Sequence, residues 1–300
     1  MSQAQEPVTV GLVGAGPWAR MMYAPMLTGG PETRLAGVWA RRADAAGELA
    51  GEYGVPAFTE YGELLAACDA VAFAVPPDVQ ARMATEAARA GRAVLLDKPI
   101  GLTLDEAHAL TEAVDAAGVV NQLVLSNRYR PRIRRFLAEA AAFPTIGAQA
   151  RMVTGAFVTG PFTTPWRLEY GSLHDIGPHA LDLLDAAVGE IEDLWAVGDP
   201  RGWVAVTCRH AGGAISQLAL TGEVAAGGYA EFELYGPDGP LTLDFRELGA
   251  DQADGDAGWA AVRTEFAAAV RSGRPHPIDV HRGLRLQRLI DRALTSLRAH

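Results

Sequence analysis

Short apolar runs alternate with helical patterns through the first 125 residues, and this alternation is the feature that most limits the fold. The runs are apolar throughout rather than at every second position, as in Val8–Val13 and Ala93–Leu96. Strands that are apolar on both faces are typical of a parallel sheet covered by helices on both sides. We therefore predict an α/β fold whose first domain, residues 1–125, is a doubly wound parallel sheet.

The boundaries of the predicted elements follow from the apolar periodicity and from the turn residues. The predicted strands of this domain are Val8–Val13, Leu35–Ala40, Ala70–Val75, Ala93–Leu96 and Val119–Leu125. The predicted helices are Pro17–Leu27, Ala43–Tyr53, Tyr61–Ala67, Val79–Ala90 and Leu104–Ala117.

The pattern changes after Leu125. Strand-like runs between residues 191 and 245 are separated by short turns such as Pro237-Asp238-Gly239, and strands joined in this way are antiparallel. Residues 126–300 are therefore predicted to form an α+β substrate-binding and oligomerisation domain around an open, mostly antiparallel sheet. Within it we expect one helix over Leu173–Val188 and an acidic, flexible loop over Gly249–Gly258.

Composition limits the partners. The net charge is −10, so the chain lacks the basic surface expected for nucleic-acid or anionic-membrane binding. The arginine run between Arg128 and Arg135 is either a solvated helix start or a local anion site. The two cysteines, Cys68 and Cys208, form neither a disulfide framework nor a metal motif. Without an apolar run of bilayer length or a signal-peptide pattern, we expect a cytoplasmic protein without metal.

A glycine-rich turn follows the first predicted strand and opens the first helix. It reads Gly14-Ala15-Gly16-Pro17-Trp18-Ala19, a G-x-G-x-x-A pattern. The first glycine permits the tight turn, the second lets the backbone approach a pyrophosphate, and the small sixth residue permits close helix–strand packing. The helix N-terminus attracts the anion. We predict a dinucleotide site here; the alternative is a glycine turn without a ligand.

The end of the second strand distinguishes the two nicotinamide dinucleotides. NAD sites usually carry Asp or Glu there for the ribose 2′-hydroxyl, whereas this chain has Arg41 and Arg42. Guanidinium groups make bidentate contacts with phosphate. The sequence thus favours NADP, with NAD as the second choice; the alternative is that both arginines belong to a solvated loop.

Two further features carry polar side chains suited to catalysis. Lys98 and Pro99 follow a strand, where ligands of open α/β sheets bind, and a lysine there offers three hydrogen-bond donors. Asp175 and His179 are four residues apart, so on a helix they share a face, and the carboxylate can orient an imidazole that acts as a general acid or base. A surface lysine and an ordinary helical ion pair are the alternatives.

In this order, these features resemble the glucose–fructose oxidoreductase / inositol dehydrogenase / rhizopine catabolism (Gfo/Idh/MocA) family of NAD(P)-dependent oxidoreductases. The match consists of the glycine turn, Asp97-Lys98-Pro99 in place of the family's Glu-Lys-Pro, and Trp166-Arg167 followed by the Asp175–Asp182 segment. Gln80 stands where many relatives have histidine, and Glu169-Tyr170-Gly171 replaces a glycine triplet.

The resemblance implies a role for each matching residue. Lys98 contacts substrate and cofactor, Asp175 positions the substrate and the base, and His179 takes the hydroxyl proton while hydride passes to the nicotinamide. Cofactor contacts are expected from Gly14, Ala15, Gly16, Pro17, Trp18, Arg41, Arg42, Pro76 and Lys98. The substrate pocket is expected to include Arg128, Tyr129, Trp166, Arg167 and Tyr170.

The main hypothesis is therefore a dehydrogenase or reductase acting on a hydroxyl or carbonyl of a sugar, cyclitol or similar small polar molecule. The resemblance also implies a homo-oligomer, a dimer or tetramer. Two alternatives stay open: a glycosidase of the same family that uses transient oxidation by tightly held NAD, and a non-catalytic nucleotide-sensing regulator.

Overall fold

The chain divides by its contacts into two units, each built around one six-stranded sheet. The structure is a computed structural model that describes residues 6–161 and 163–299. The first unit comprises the chain up to Leu125 together with Trp259–Leu284. The second comprises Ser126–Gly258 and the chain from Arg285 onward.

The sheet of the first unit is parallel throughout, with the strand order β3-β2-β1-β4-β5-β6. Its strands are β1 (Val8–Val13), β2 (Thr33–Trp39), β3 (Ala57–Phe58), β4 (Ala70–Phe73), β5 (Ala93–Asp97) and β6 (Asn121–Val124). The helices between them are α1 (Ala24–Thr28), α2 (Ala43–Tyr53), α3 (Tyr61–Ala66), α4 (Pro77–Arg89) and α5 (Leu104–Ala117), with a π-helical turn at Ala19–Tyr23.

The doubly wound prediction for this sheet is confirmed, and its strands are buried on both faces as their composition requires. Three elements, β1, α2 and α5, have the predicted bounds. The helix predicted over Pro17–Leu27 is confirmed as a continuous helical segment, of which residues 19–23 form a π-helical turn before α1. The two-residue strand β3 was not predicted, because two residues are too few to show a period.

Residues 259–284 belong to the first unit, whereas the sequence analysis assigned them to the second domain. Hydrogen bonds along the outer strand β6 hold this segment: the Leu123 amide donates to the Ile278 carbonyl at 2.8 Å, and the Val280 amide donates to Asn121 Oδ1 at 2.7 Å. These contacts join residues more than 150 positions apart, and local sequence patterns carry no information about such pairs.

The sheet of the second unit is mixed, with the order β12-β11-β7-β10-β9-β8; only β7 and β10 run parallel among its described pairs. Its strands are β7 (Gly147–Val153), β8 (Ile191–Gly198), β9 (Val204–His210), β10 (Ile215–Thr221), β11 (Tyr229–Gly236) and β12 (Gly239–Asp244). Its helices are α6 (Pro131–Ala140), α7 (Pro165–Asp175), α8 (Gly177–Ala187) and α9 (Phe245–Ala250), with a 3-10 turn at Ser126–Tyr129. Helices α10 (Gln252–Ser272) and α11 (Val280–Arg298) contribute to both units.

The two faces of this second sheet differ in burial. Alternate residues such as Val206, Leu218 and Phe232 are buried, and α8 packs across β7 and β10. On the opposite face, Trp195 and Val197 of β8 are about half exposed, at 49% and 57%. The predicted open, mostly antiparallel sheet is confirmed, and its open face carries apolar side chains.

The segment Gly249–Gly258 is helical, so the predicted flexible loop is wrong. Its Asp254 carboxylate is buried and accepts hydrogen bonds from Arg130 Nε at 2.7 Å and from the Arg132 amide at 2.8 Å. Glycines in α10 allow Arg130 to pack closely, since a Cβ on Gly258 would lie 3.2 Å from Arg130 Cγ. Three residues of the arginine run, Arg128, Arg130 and Arg132, thus pair with acidic side chains of their own unit, rather than forming the solvated helix start that was one of the two interpretations.

Both cysteines are buried thiols. Burial raises the pKa of Cys68, and it raises the pKa of Cys208 to about 11, so both are protonated near neutral pH and are poor nucleophiles. Over residues 6–161 and 163–299, no helix combines the length and the apolar character needed to cross a membrane.

His210 makes the stability of the second unit depend on pH. Its Nδ1 lies 2.7 Å from the Gly189 carbonyl, which can only accept, so the neutral ring carries its proton there and Nε2 accepts from the Ser216 hydroxyl at 2.8 Å. Burial lowers the pKa of His210 from its ordinary 6.5, against the opposing influence of Gly189 and Asp185. The unfolded chain therefore binds more protons below that pH, and stability is lost as the pH falls from 6.5 toward the folded pKa.

We expect His210→Gln to lower the free energy of unfolding at pH 7.5 by about 1–3 kcal/mol, because a buried hydrogen bond is lost. We also expect the variant to lose less additional stability than the wild type between pH 7 and about 5.5, because the buried titrating group is gone. Urea unfolding at several pH values measures both effects. His108→Gln, on α5, is the control and should keep the wild-type pH slope; parallel slopes for wild type and His210→Gln would contradict the assignment.

Candidate active site

The glycine turn begins where β1 ends, and the backbone around it leaves no room for a side chain at residue 14. Gly14 has φ 117°, and its amide donates to the Trp39 carbonyl at the end of β2 at 2.8 Å. A Cβ on this residue would lie 2.4 Å from the carbonyl oxygen of Ala74. Glycine is therefore required here both by the left-handed backbone and by the close approach of the segment after β4.

Gly16 is in the opposite situation. It is exposed, and a Cβ at this position would meet no atom of the chain within 4 Å. The helical segment starts at the next residue, Pro17, which suits a first helical turn because it has no amide proton. Open space beside the N-terminus of a helix fits the pyrophosphate of a dinucleotide.

Arg20 fastens this turn to the neighbouring helix, a role that the sequence analysis missed. Its Nε donates to the Ala15 carbonyl at 3.3 Å, while its guanidinium contacts Glu48 at 2.9 Å and also pairs with Glu52 on α2. The turn is therefore held by a side chain as well as by the backbone. An arginine four residues into a helix gives no local signal for such a contact.

Arg41 and Arg42 lie two and three residues after the end of β2, and both are exposed. Arg42 Nε lies 3.6 Å from Asp44 Oδ1 in a pair whose side chains are both about 70% exposed, which is a weak contact. Because Gly14 donates to Trp39 at the end of the same strand, the two arginines leave the sheet beside the glycine turn. Guanidinium groups at this position can bind a phosphate.

Lys98 lies at the carboxyl end of β5, on the edge of the sheet that also carries the glycine turn, and Pro76 follows β4 at this edge. The Lys98 amide donates to Asp97 Oδ1 at 2.8 Å, and the Lys98–Pro99 peptide bond is cis. The sequence holds a signal that the sequence analysis did not use. Of the 26 lysine and arginine residues in the chain, Lys98 alone is a lysine.

In the second unit, the backbone breaks its helical path at Gly171, inside α7. Its φ and ψ are 70° and −156°, and a Cβ there would lie 2.1 Å from the Cα of Arg201. The next residue, Ser172, donates from its amide and its hydroxyl to the Arg201 carbonyl, at 3.1 and 3.0 Å. The helical segment predicted over Leu173–Val188 is confirmed, with an interruption at Ile176 that separates the end of α7 from α8.

Asp175 ends α7 as a buried carboxylate. Its Oδ2 lies 3.2 Å from Arg167 Nε, and the Arg167 guanidinium lies 4.9 Å from the centre of the Trp166 ring. Three of the predicted residues are thus brought together. Arg167 holds the carboxylate to which the sequence analysis gave a positioning role.

His179 lies in the first turn of α8 and is partly exposed. Ile176 joins the two helices with helical dihedral angles, and its carbonyl accepts from the His179 amide at 3.1 Å. The backbone from Asp175 to His179 therefore keeps the helical spacing that puts the two side chains on one side. A partly exposed imidazole four residues after a buried carboxylate, at helical spacing, is suited to proton transfer.

The remaining predicted pocket residues have partners of their own. Arg128 Nη1 lies 3.0 Å from Oδ1 of Asp182, a carboxylate on α8 that is 1% exposed. Tyr129 is 1% exposed, with the Arg134 guanidinium 5.5 Å from its ring centre, and the Tyr170 ring packs edge-on to His174 at 5.3 Å. Their contacts with a substrate stay a prediction.

Among the residues that the structure describes, no group of three or more His, Cys, Asp or Glu side chains is arranged to hold a metal ion. The polar groups described above are the backbone amides of the glycine turn and the side chains of Arg41, Arg42, Lys98, Arg167, Asp175 and His179. A parallel sheet with a glycine turn at its switch point is the architecture of dinucleotide-binding domains.

The chain belongs to the GFO/IDH/MocA family. Residues 8–124 match the model of the oxidoreductase family NAD-binding Rossmann fold, and residues 146–242 match the model of the GFO/IDH/MocA C-terminal domain. The family resemblance is confirmed.

Individual relatives are more distant. The chain is 31% identical over 192 residues to UDP-N-acetylglucosamine 3-dehydrogenase from Acidithiobacillus ferrooxidans, covering 63% of this chain and 57% of that protein. It is 26% identical over 229 residues to an NADP(+)-type scyllo-inositol 2-dehydrogenase from Bacillus subtilis, covering 70% of this chain and 68% of that protein. The chain spans about three fifths of the length of several other curated relatives that it matches.

The fold is also that of a solved structure, GenD2 from gentamicin A biosynthesis in complex with NAD. The TM-score is 0.88 at 23% sequence identity, and the alignment covers 98% of this chain and 95% of the other. This similarity supports the arrangement of strands and helices described above.

We expect Gly171→Ala to lower the free energy of unfolding by at least about 2 kcal/mol, because a Cβ would overlap the Arg201 backbone in a left-handed conformation. Chemical denaturation measures the change. The matched control is Gly47→Ala within α2, where a Cβ meets no atom within 4 Å and stability should rise by about 0.5–1 kcal/mol. Equal stabilities for the two variants would show that the break at Gly171 is not a constraint.

Proposed function

We propose that the protein is an NAD(P)-dependent dehydrogenase or reductase that prefers NADP and acts on a hydroxyl or carbonyl carbon of a sugar, cyclitol or similar small polar molecule. The observation that carries this proposal is the arrangement at the carboxyl edge of the first sheet. There, the open glycine turn, two exposed arginines and the single lysine follow β1, β2 and β5 at one edge of the sheet.

The preference for NADP rests on charge at the end of β2. An acidic side chain would bind a ribose 2′-hydroxyl and repel a 2′-phosphate, whereas Arg41 and Arg42 attract the phosphate. Both side chains are exposed and extend from a strand end that is hydrogen-bonded to Gly14. One relative is named as an NADP(+) enzyme, and GenD2, which has the same fold, was solved with NAD, so the choice of dinucleotide has to be argued from the residues of this chain.

Gly14, Ala15, Gly16, Pro17, Trp18 and Pro76 are the other residues proposed to hold the dinucleotide. When bound, its nicotinamide supplies the hydride chemistry at the carbinol or carbonyl carbon. Lys98 donates hydrogen bonds to substrate oxygen and to the cofactor. His179 accepts the hydroxyl proton during oxidation and returns it during reduction, and Asp175, held by Arg167, orients the imidazole and the substrate.

The substrate class follows from the polar character of the proposed pocket and from the relatives. Arg128, Tyr129, Trp166, Arg167 and Tyr170 offer hydrogen-bond donors and aromatic faces, which suit a polyhydroxylated ring. The relatives named above are dehydrogenases of a nucleotide sugar and of a cyclitol.

The proposal extends to the assembly. The exposed apolar side chains on the open face of the second sheet suit a homo-oligomer, a dimer or tetramer. The second domain would then serve both substrate binding and oligomerisation, in a cytoplasmic enzyme without nucleic-acid or membrane partners.

We expect the double variant Arg41→Ala, Arg42→Ala to weaken NADPH binding about 10- to 100-fold, because charge-assisted hydrogen bonds to the 2′-phosphate are lost. NADH binding should change less than about threefold. Isothermal titration calorimetry with both nucleotides measures the difference. Arg34→Ala with Arg89→Ala is a matched control that removes the same charge from exposed positions away from the glycine turn. Equal losses for both nucleotides would contradict the preference, and absence of binding to the wild type would contradict the function.

We expect His179→Ala to reduce turnover by about 10²- to 10⁴-fold and to leave the Kd for NADPH within about threefold, because general acid–base catalysis is lost while the nucleotide contacts remain. The measurement is absorbance of the reduced nicotinamide during a screen of polyols, cyclitols and sugars. His108→Ala should retain activity.

Two results would redirect the proposal. Undiminished turnover in His179→Ala would remove its acid–base role. Release of sugar from glycosides without net change in nicotinamide absorbance, together with nucleotide that co-purifies and does not exchange, would favour the glycosidase; nucleotide binding without any turnover would favour the regulator.

A further inference from the structure

Gln80 is a buried polar side chain that none of the roles above uses. It lies in the first turn of α4 and is 1% exposed. Its Oε1 accepts from the Asp97 amide at 2.8 Å, and its Nε2 donates to the carbonyls of Asp97 and Pro99 at 2.7 and 3.3 Å. One side chain therefore binds the backbone on both sides of Lys98.

The position of Gln80 relative to the sheet explains why this contact is needed. On one side, β5 pairs with β6 as far as Asp97 and Val124. On the other side, β4 pairs with β5 only as far as Ala72 and Leu95, two residues before Asp97. The amide of Gln80 offers one acceptor and two donors, as a neighbouring strand would, and so extends the ladder through the turn. Buried backbone groups left without such partners cost about 1–3 kcal/mol each.

The side chain of Asp97 is held from a different direction. Its Oδ2 accepts from the indole Nε1 of Trp18 at 2.5 Å, and its Oδ1 accepts from the Lys98 amide at 2.8 Å. Trp18 lies in the helical segment that follows the glycine turn, and its ring packs edge-on to Trp259 with centroids 5.9 Å apart. Asp97 thus connects the turn proposed to bind phosphate with the turn that carries Lys98.

We propose that Gln80 is a positioning residue that sets the conformation of the Asp97–Pro99 turn and hence the position of the Lys98 ammonium, and that the Trp18–Asp97 hydrogen bond couples this turn to the glycine turn. The coupling rests on the proposed function, since it matters for catalysis only if both turns bind the dinucleotide and substrate. The positioning itself is a property of the first unit and has a readout that needs no activity.

The single lysine makes a direct test possible. Reductive methylation with ¹³C-formaldehyde labels Lys98 and the N-terminal amine, which gives two resonances. Lys98→Arg removes one resonance and assigns the other. The chemical shift and titration of the Lys98 signal then report the surroundings of the ammonium directly.

The main variant is Gln80→Met, which has a similar volume but neither donates nor accepts the three hydrogen bonds. We expect the Lys98 signal to shift or broaden and to titrate differently, kcat to fall about 10- to 100-fold with a raised KM for substrate, and the Kd for NADPH to change less than about threefold. Gln80→His retains one donor and one acceptor and should restore part of both the signal and kcat. Gln252→Met, at an exposed position in the first turn of α10, is the matched control and should behave as the wild type.

Trp18→Phe tests the coupling and also serves if Gln80→Met does not fold, because Trp18 is partly exposed. It keeps an aromatic ring and removes the indole donor. We expect NADPH to shift the Lys98 signal in the wild type and to shift it much less in Trp18→Phe at saturating nucleotide.

The outcomes separate the two levels of the proposal. An unchanged Lys98 signal and titration in Gln80→Met, or in Trp18→Phe where only that variant folds, overturns the positioning role whatever the activity. A changed signal in a wild-type protein that neither binds nicotinamide dinucleotides nor turns over substrate supports the positioning of Lys98 and overturns the function proposed for it. In a further outcome, Gln80→Met loses kcat only in proportion to its unfolded fraction, while the Lys98 signal of the folded fraction is unchanged. That result identifies Gln80 as a purely structural residue and contradicts the proposal.

Discussion

The close packing of backbone on backbone at Gly14 is the constraint on which the first unit depends. The turn after β1 is hydrogen-bonded to the end of β2 and pressed against the carbonyl of Ala74 after β4, so three central strands end within contact of one residue. Any side chain at this position would separate those strand ends. Because the strands are parallel, their carboxyl ends share an edge, and the residues that follow them, Arg41 and Lys98 among them, are gathered there without further design.

The second unit also contains a glycine, Gly171, at which two backbone segments are in close contact. At Gly171 the backbone of α7 leaves its helical path and contacts residues 200 and 201, in the connection between β8 and β9. Ser172 donates hydrogen bonds to the Arg201 carbonyl of this connection. The break changes the direction of the chain just before Asp175 and His179. The contact of Gly171 with the connection between β8 and β9 therefore fixes where the segment that carries this pair begins. The sequence Glu169-Tyr170-Gly171 keeps a glycine only at the position where the backbone requires one.

The properties that could be predicted from the sequence are those that repeat over short distances. The periodicity of β1, α2 and α5 gave their bounds, and the glycine turn and the two arginines lie at the strand ends where local patterns had placed them. What could not be predicted depends on partners far along the chain. Asp254 and Arg130 are 124 residues apart, and their pairing turns an apparent acidic loop into a helix. Likewise, Gln80 reads as an ordinary helical residue until its contacts with Asp97 are known.

The arginines and the single lysine of this chain stand in different surroundings. Wherever a positive charge holds the fold together, as in Arg20 with α2, Arg130 with Asp254 and Arg263 with Glu32, the residue is arginine. A planar guanidinium bonds several oxygens at once, which suits fixed, partly buried contacts. At the one lysine, a network of Gln80, Trp18 and Asp97 holds the backbone on both sides of Lys98. A lysine ammonium is a compact cation with three donors on a flexible stem, and a backbone that is held on both sides gives this side chain a fixed starting point from which to reach ligand oxygens.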